Sequence, residues 1–108
     1  IVEKGAVVRN AIIMHDCVIR ENSVIENVVT DKDVIFGKGC QVGVSGENTP
    51  NRIYPKYLNT GISIFGKSAR VPDNVTIGRN CVVFPLANDT HYTGTTVESG
   101  DSVGTDDM

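Results

Sequence analysis

Val2-Glu3-Lys4-Gly5-Ala6-Val7, Ile19-Arg20-Glu21-Asn22-Ser23-Val24 and Phe36-Gly37-Lys38-Gly39-Cys40-Gln41 are three versions of one hexapeptide, spaced seventeen residues apart. The segments between them repeat as well. Val8-Arg9-Asn10-Ala11-Ile12-Ile13 aligns with Ile25-Glu26-Asn27-Val28-Val29-Thr30, and Met14 to Ile19 aligns with Asp31 to Phe36. A fixed internal period decides the architecture before any single residue does. Large aliphatic residues fall at Val2, Val8, Ile13, Ile19, Ile25, Thr30, Phe36 and Val42, in steps of six, with one step of five per period. An amphipathic helix needs steps of three and four, and a meander needs longer strands joined by hairpin turns. Neither pattern is present. Three short strands per period, stacked about 4.8 Å apart, make a prism-shaped parallel coil.

The period assigns a place to most residues. Val2, Ile19 and Phe36 should form one interior column, Val8, Ile25 and Val42 a second, and Ile13 and Thr30 the start of a third. Four residues after each column member stands a mostly small side chain: Ala6, Ile12, Cys17, Ser23, Val29, Val34 and Cys40. This slot is expected to point inward at a crowded corner. Cys81 stands in the same register four residues after Ile77, so all three cysteines are read as small buried hydrophobes rather than reactive or metal-binding thiols. An odd number without CxxC spacing also argues against a disulfide framework or a zinc site. The corners between strands fall at Gly5, Asn10, Asp16, Asn22, Asn27, Asp33, Gly39, Asn74 and Asn80, residue types that accept left-handed backbone angles.

After Val42 the pattern breaks. Residues 45–61, SGENTPNRIYPKYLNTG, are too long for a corner and should leave the coil as one excursion loop, a kind of segment that often carries function. The hexads resume at Phe65, Val71, Ile77 and Val83. The reading is therefore coils over 1–44, a loop over 45–61, coils over 62–86 and a polar tail or cap over 87–108. Val97 and Val103 are again six apart within that tail, and residues 105–108 should lack order.

Composition excludes several classes. The chain of 108 residues is 40% hydrophobic but only 6% aromatic, with no Trp, which suits thin stacked strands. A net charge of −3 gives no nucleic-acid or membrane-surface footprint, and no apolar run approaches the roughly 20 residues of a transmembrane helix. The cysteine usage fits a reducing cytoplasm. The chain opens at Ile1, inside the repeat, and the expectation is a piece of a longer protein.

The hexads Phe36-Gly37-Lys38-Gly39-Cys40 and Ile77-Gly78-Arg79-Asn80-Cys81 resemble those of the hexapeptide-repeat proteins, whose coil is a left-handed β-helix. The hand comes from that resemblance, since the general preference of parallel crossovers is right-handed. Asn10 to Met14, Glu26 to Val34, and the run from Leu58-Asn59-Thr60-Gly61-Ile62 through Phe65-Gly66-Lys67 to Ile77-Gly78-Arg79-Asn80 are similar to the C-terminal domain of bacterial glucose-1-phosphate adenylyltransferases. The likeness covers Val2 to about Val83. It implies an all-β, single-stranded β-helix domain of an enzyme that makes ADP-glucose and pyrophosphate from ATP and glucose 1-phosphate with Mg²⁺, for glycogen or starch synthesis. The chemistry would belong to an N-terminal nucleotidyltransferase domain absent from this chain, which itself would carry no catalytic residue, metal ligand or cofactor. The implied partners are that catalytic domain, further subunits in a tetramer or a hetero-oligomer with a paralogue, and a small anionic effector. By charge, the residues nominated for the effector are Arg52, Lys56 and Arg70, since sugar phosphates want converging Arg forks and Lys charges. Lys67 and Arg79 are also basic, but their hexad positions put them on different faces of one coil.

Two alternatives stand beside this reading. A hexapeptide acyltransferase using acyl-CoA would need a histidine as general base on the acceptor hydroxyl, and His15 and His91 are the only histidines. The β-helix domain of another sugar-phosphate nucleotidyltransferase would share the same hexads. The glycines at 37, 39, 43 and 46 precede no helix, so they are read as corners and not as a phosphate cradle.

Overall fold

A computed structural model describes residues 1–104, and residues 105–108, expected to lack order, lie outside the described residues. The strands are β1 (Val7–Ile12), β2 (Val18–Ile19), β3 (Val24–Thr30), β4 (Ile35–Phe36), β5 (Gln41–Val42), β6 (Ser63–Phe65), β7 (Arg70–Val71), β8 (Thr76–Ile77), β9 (Val82–Val83), β10 (Thr96–Val97) and β11 (Ser102–Val103). All pairings are parallel, and each joins a strand to its equivalent one coil away. The architecture is the all-β parallel coil of hexads. β2, β4 and β7 form one wall. The other two walls count as a single sheet, because the seven-residue β3 runs across the corner between them and pairs with β5 before it and with β6 after it.

The interior columns follow the period. Val2 bridges Ile19, Ile19 pairs with Phe36, and Phe36 with Val71. Val8, Ile25, Val42, Ile77 and Val97 stack as the second column. Thr30, Phe65, Val83 and Val103 form the third. Phe36 and Phe65 meet edge to face at 4.9 Å between centroids, filling the centre where the columns converge. All nine expected corner residues have positive φ, from 48° at Asn10 to 76° at Gly5, and Ser68 (62°) and Leu86 (65°) join them.

Two expected inward residues face outward instead. Ile12 is 63% exposed and Val29 is half-buried, whereas Ala11 and Val28 take the inward slot. The reason is the five-residue step. Removing one residue between a column member and the next shifts the inward position from four residues after Val8 and Ile25 to three. The side chains at Ile12 and Val29 are thereby turned to the outside of the wall. Elsewhere the slot is buried as read, at Cys17, Ser23, Val34, Cys40, Ala69, Val75 and Cys81.

The excursion leaves the coil at Gly43. Its φ is +71°, and a Cβ there would stand 2.1 Å from the Glu26 carbonyl oxygen, so a side chain meets backbone. Excising residues 45–61 from the sequence leaves Val42-Gly43-Val44-Ile62-Ser63-Ile64-Phe65, an intact hexad with Ser63 in the small slot. Ser63 is buried there, and its hydroxyl accepts from the Cys81 backbone N–H at 3.1 Å. The loop is an insertion into a complete repeat.

Residues 87–104, read as a polar tail or cap, continue the coil. Asn88 caps a 3-10 turn (Asp89–His91), and Val97 and Val103 then enter the second and third columns. The steps from Ile77 to Val97 and from Val83 to Val103 are twenty residues rather than the eighteen from Phe65 to Val83, the two extra residues being taken up around that turn. This departure hides the repeat in the sequence.

Candidate functional site

The loop does not hang free. Asn51 is fully buried, and its side chain ties three segments together. Nδ2 donates to the Asn80 carbonyl at 2.9 Å and to Ser102 Oγ at 3.3 Å, while Oδ1 accepts from the backbone N–H groups of Ile53 and Tyr54 at 2.9 and 3.0 Å. Asn80, also fully buried, answers from the coil. Its Nδ2 donates to Asn48 Oδ1 and to the Thr49 carbonyl, and its Oδ1 accepts the Gly61 N–H at 2.7 Å. Two buried amides thus satisfy the backbone groups that the insertion would otherwise strand. Leu58 and Tyr54 lay the loop's apolar side over Val82 and Phe84, with the Tyr54 and Phe84 rings 6.5 Å apart. Tyr57, by contrast, stands 82% exposed.

The basic residues do not converge. Arg52 Nε donates to Asp101 Oδ1 at 2.8 Å, and its hollow is also lined by Glu47 and Glu98. Lys56 is exposed on the loop and has no ion pair among the described residues. Arg70 lies on the β2-β4-β7 wall, where Nη2 reaches Asp33 Oδ1 at 3.4 Å and Nη1 donates to the Asp33 carbonyl. The Ser68 hydroxyl, 2.8 Å from Asp33 Oδ2, and then the Arg70 charge hold the Asp33 carboxyl below its usual range. Arg70 shares a hollow of about 370 Å³ with Arg20, but Asp73 and Asp89 line it too, so the lining is not an anion-selective one. Lys67 follows β6 and Arg79 follows β8, at different corners. Arg79 Nε is buried without a hydrogen-bond partner.

One of the two histidines is tied into the backbone. His91 Nδ1 accepts the Asn88 backbone N–H at 3.0 Å as part of the capping box, which commits that nitrogen's lone pair. His15 Nε2 lies 3.9 Å from Asp16 Oδ2 on an exposed corner. The three cysteines are buried and unpaired with one another. Burial pushes the Cys40 thiol up and the Cys81 thiol to about 11, so neither is a thiolate nucleophile near neutral pH. Among the described residues there is no group of three or more His, Cys, Asp or Glu that could hold a metal ion. No described helix is long and apolar enough to cross a membrane.

The wall carrying the third column bears the feature that sequence reading missed. On its outer side Ile12, Val29, Ile64 and Val82 stand in register from coil to coil. Val82 is 7% exposed under the loop, whereas Ile64 (39%) and Ile12 are open. Met14 and Ile62 flank them, and a hollow of about 380 Å³ opens beside Met14, Val29 and Ile64. The signal was available in the five-residue step, which turns Ile12 and Val29 outward.

Comparison with known proteins agrees with the hexads. The model of the GlmU-like, C-terminal hexapeptide family matches residues 1–65. The chain is 41% identical over 95 residues to the glucose-1-phosphate adenylyltransferase of Thermomicrobium roseum, covering 88% of this chain and 22% of that protein. It is 36% identical over 102 residues to the glucose-1-phosphate adenylyltransferase of Acetivibrio thermocellus, covering 94% and 24%. A third such enzyme, from Fervidobacterium nodosum, is 30% identical over 82 residues, 76% of this chain and 20% of that protein. The chain thus spans about a quarter of the length of these curated relatives. No solved structure matches.

Proposed function

The chain belongs to the GlmU-like C-terminal hexapeptide family, and from that premise we propose that it is the non-catalytic β-helix part of a glucose-1-phosphate adenylyltransferase. Its work is to hold subunits, and a neighbouring nucleotidyltransferase domain, in fixed relation. The parent reaction joins ATP and glucose 1-phosphate to give ADP-glucose and pyrophosphate, in the cytoplasm, with Mg²⁺ bound by the catalytic domain rather than by this chain. The observation that carries the reading is the similarity to such enzymes along 88% and 94% of this chain. It is supported by the commitment of the chain's interior to stacking. Every cysteine lies in a wall slot, both buried amides secure the loop, and the histidines cap or sit exposed.

The acyltransferase alternative gains nothing from the geometry, because His91 has spent Nδ1 on the Asn88 N–H and His15 has only an exposed carboxylate near it. An anionic effector held by Arg52, Lys56 and Arg70 together gains no support from the geometry, since Arg52 and Arg70 line different hollows and each is already paired with a carboxylate. The 108-residue chain, assayed with ATP, Mg²⁺ and glucose 1-phosphate, should release no pyrophosphate. A parent enzyme truncated before this segment should elute at a smaller assembly mass. Turnover by the chain alone, or an unchanged assembly after truncation, would overturn the proposal.

A further inference from the structure

The end repeat of a solenoid is its least supported one, because each repeat is held only by its neighbours. Coil five, residues 88–104, is such a repeat. It pairs with coil four through two strands of two residues each, β10 on β8 and β11 on β9. Between those strands it meets a second support from far back in the chain. The Arg52 backbone N–H donates to the Gly100 carbonyl at 3.0 Å, and Arg52 Nε donates to Asp101 Oδ1 at 2.8 Å. Asn51 Nδ2 donates to the Asp101 carbonyl at 3.5 Å and to Ser102 Oγ at 3.3 Å. The approach is close: a Cβ at Gly100, whose φ is +86°, would stand 2.7 Å from the Pro50 carbonyl oxygen. The loop that leaves the prism at Gly43 therefore crosses coil four at Asn80 and reaches coil five at Gly100.

We propose that residues 50–52 are a strap that holds the terminal coil shut, and that strap and coil part as one unit while coils one to four stay folded. Cooperative openings of this size, below global unfolding, are a general property of folded chains. The direction of the hydrogen bonds defines the unit. Coil four donates toward coil five: Thr76, Gly78, Val82 and Phe84 give their backbone N–H groups to the carbonyls of Thr95, Val97, Asp101 and Val103. When coil five lifts, those four amides lose their acceptors. The Arg52 N–H loses the Gly100 carbonyl in the same event. Deeper amides donate to carbonyls that do not move, Gln41 to Val75, Gly43 to Ile77, Ile64 to Cys81 and Gly66 to Val83. The rest of the loop keeps its own hold on coil four, through the Asn80 amide and through Leu58 against Val82 and Phe84. The strap thus couples the position of the loop to the end of the prism, across 49 positions of sequence. The coupling is independent of the scaffold reading.

Amide-resolved hydrogen exchange, followed by NMR on the 108-residue chain, tests it. The N–H groups of Arg52, Thr76, Gly78, Val82 and Phe84 should share one opening. Their protection should be at least about ten-fold lower than that of Gln41, Gly43, Ile64 and Gly66. Arg52→Ala removes a solvent-exposed ion pair and should lower protection of the first set about two- to five-fold, leaving the second set unchanged. Gly100→Ala sets a methyl group against the Pro50 carbonyl at a left-handed position. It should lower protection of the first set about ten-fold or more, again without moving the second. Equal protection of the two sets in the unaltered chain overturns the proposal. So does an Arg52 N–H that stays protected while the coil-four amides exchange, because the coil then frays without its strap. A first set that neither variant moves, or an Arg52→Ala effect equal in both sets, overturns it as well.

Discussion

Asn51 shows what one residue does in this chain. A seventeen-residue insertion into a solenoid strands backbone donors and acceptors on both sides of its exit, and a buried unsatisfied group costs about 1–3 kcal/mol. One amide answers several of them: it donates to coil four through the Asn80 carbonyl and to coil five through Ser102, and it accepts from its own loop. Asn51→Ala should therefore lower stability by about 1–3 kcal/mol in urea unfolding. Asn51→Asp should fail to rescue it, because a carboxylate cannot donate to the Asn80 carbonyl. If the alanine variant unfolds at the wild-type urea midpoint, the amide is not the tie described. At the same scale, the corner column of Asp16, Asp33 and Ser68 shows how a left-handed position doubles as a contact. The Ser68 hydroxyl reaches the Asp33 carboxylate one coil away, over 35 positions of sequence.

At the scale of elements, all strands but β1 and β3 are two or three residues long and could not stand alone. Their stability comes from stacking, each strand being held by the coil before and the coil after. The β2-β4-β7 wall has an electrostatic component too. Asp33 has its carboxyl lowered from 3.8 by the Ser68 hydroxyl and the Arg70 guanidinium. For a carboxyl with a depressed folded value, the ionised form is the one that folding favours. Its contribution is present above 3.8 and lost as pH falls below 3.8 through the folded value. The acid limb of a stability-against-pH curve should accordingly be shallower in Asp33→Asn than in the wild type. Parallel curves would mean that the carboxylate contributes nothing to the wall. The size is modest, because the pair is exposed to solvent and screened.

For the whole molecule, the loop is the departure from regularity that matters most. Residues 45–61 interrupt a hexad that is otherwise complete, so deleting them leaves Val42 and Phe65 six apart with Gly43 and Ser63 in their proper places. The deletion variant should keep the β-sheet circular dichroism of the parent. It should lose about 2–5 kcal/mol of stability, because Val82 and Phe84 become exposed and Asn80 loses its partners. A variant that unfolds altogether would show that the loop is needed to close the third wall rather than added to it. The same loop covers one end of the third wall's outer side, over Val82, and leaves Ile12 at the other end open.

The sequence by itself determined the coil. The seventeen-residue period, the aliphatic columns, the corner residues with positive φ and the inward cysteines were legible. Each follows from local sterics repeated at fixed spacing, which a one-dimensional pattern can express. Three things were decided only by the tertiary structure. Ile12 and Val29 turned outward because a five-residue step shifts the facing of a strand, and that shift becomes visible only when the coils are stacked. Residues 87–104 joined the coil because the walls of coil four offer a template to any strand that reaches them, even when the spacing stretches to twenty. The basic residues Arg52, Lys56 and Arg70, alike in charge, were separated because each found its nearest carboxylate or stretch of open water across distances that sequence order does not encode. The repeat fixes where the wall stands. The meeting of residues far apart in the chain decides which part of that wall is covered and which is left open to water.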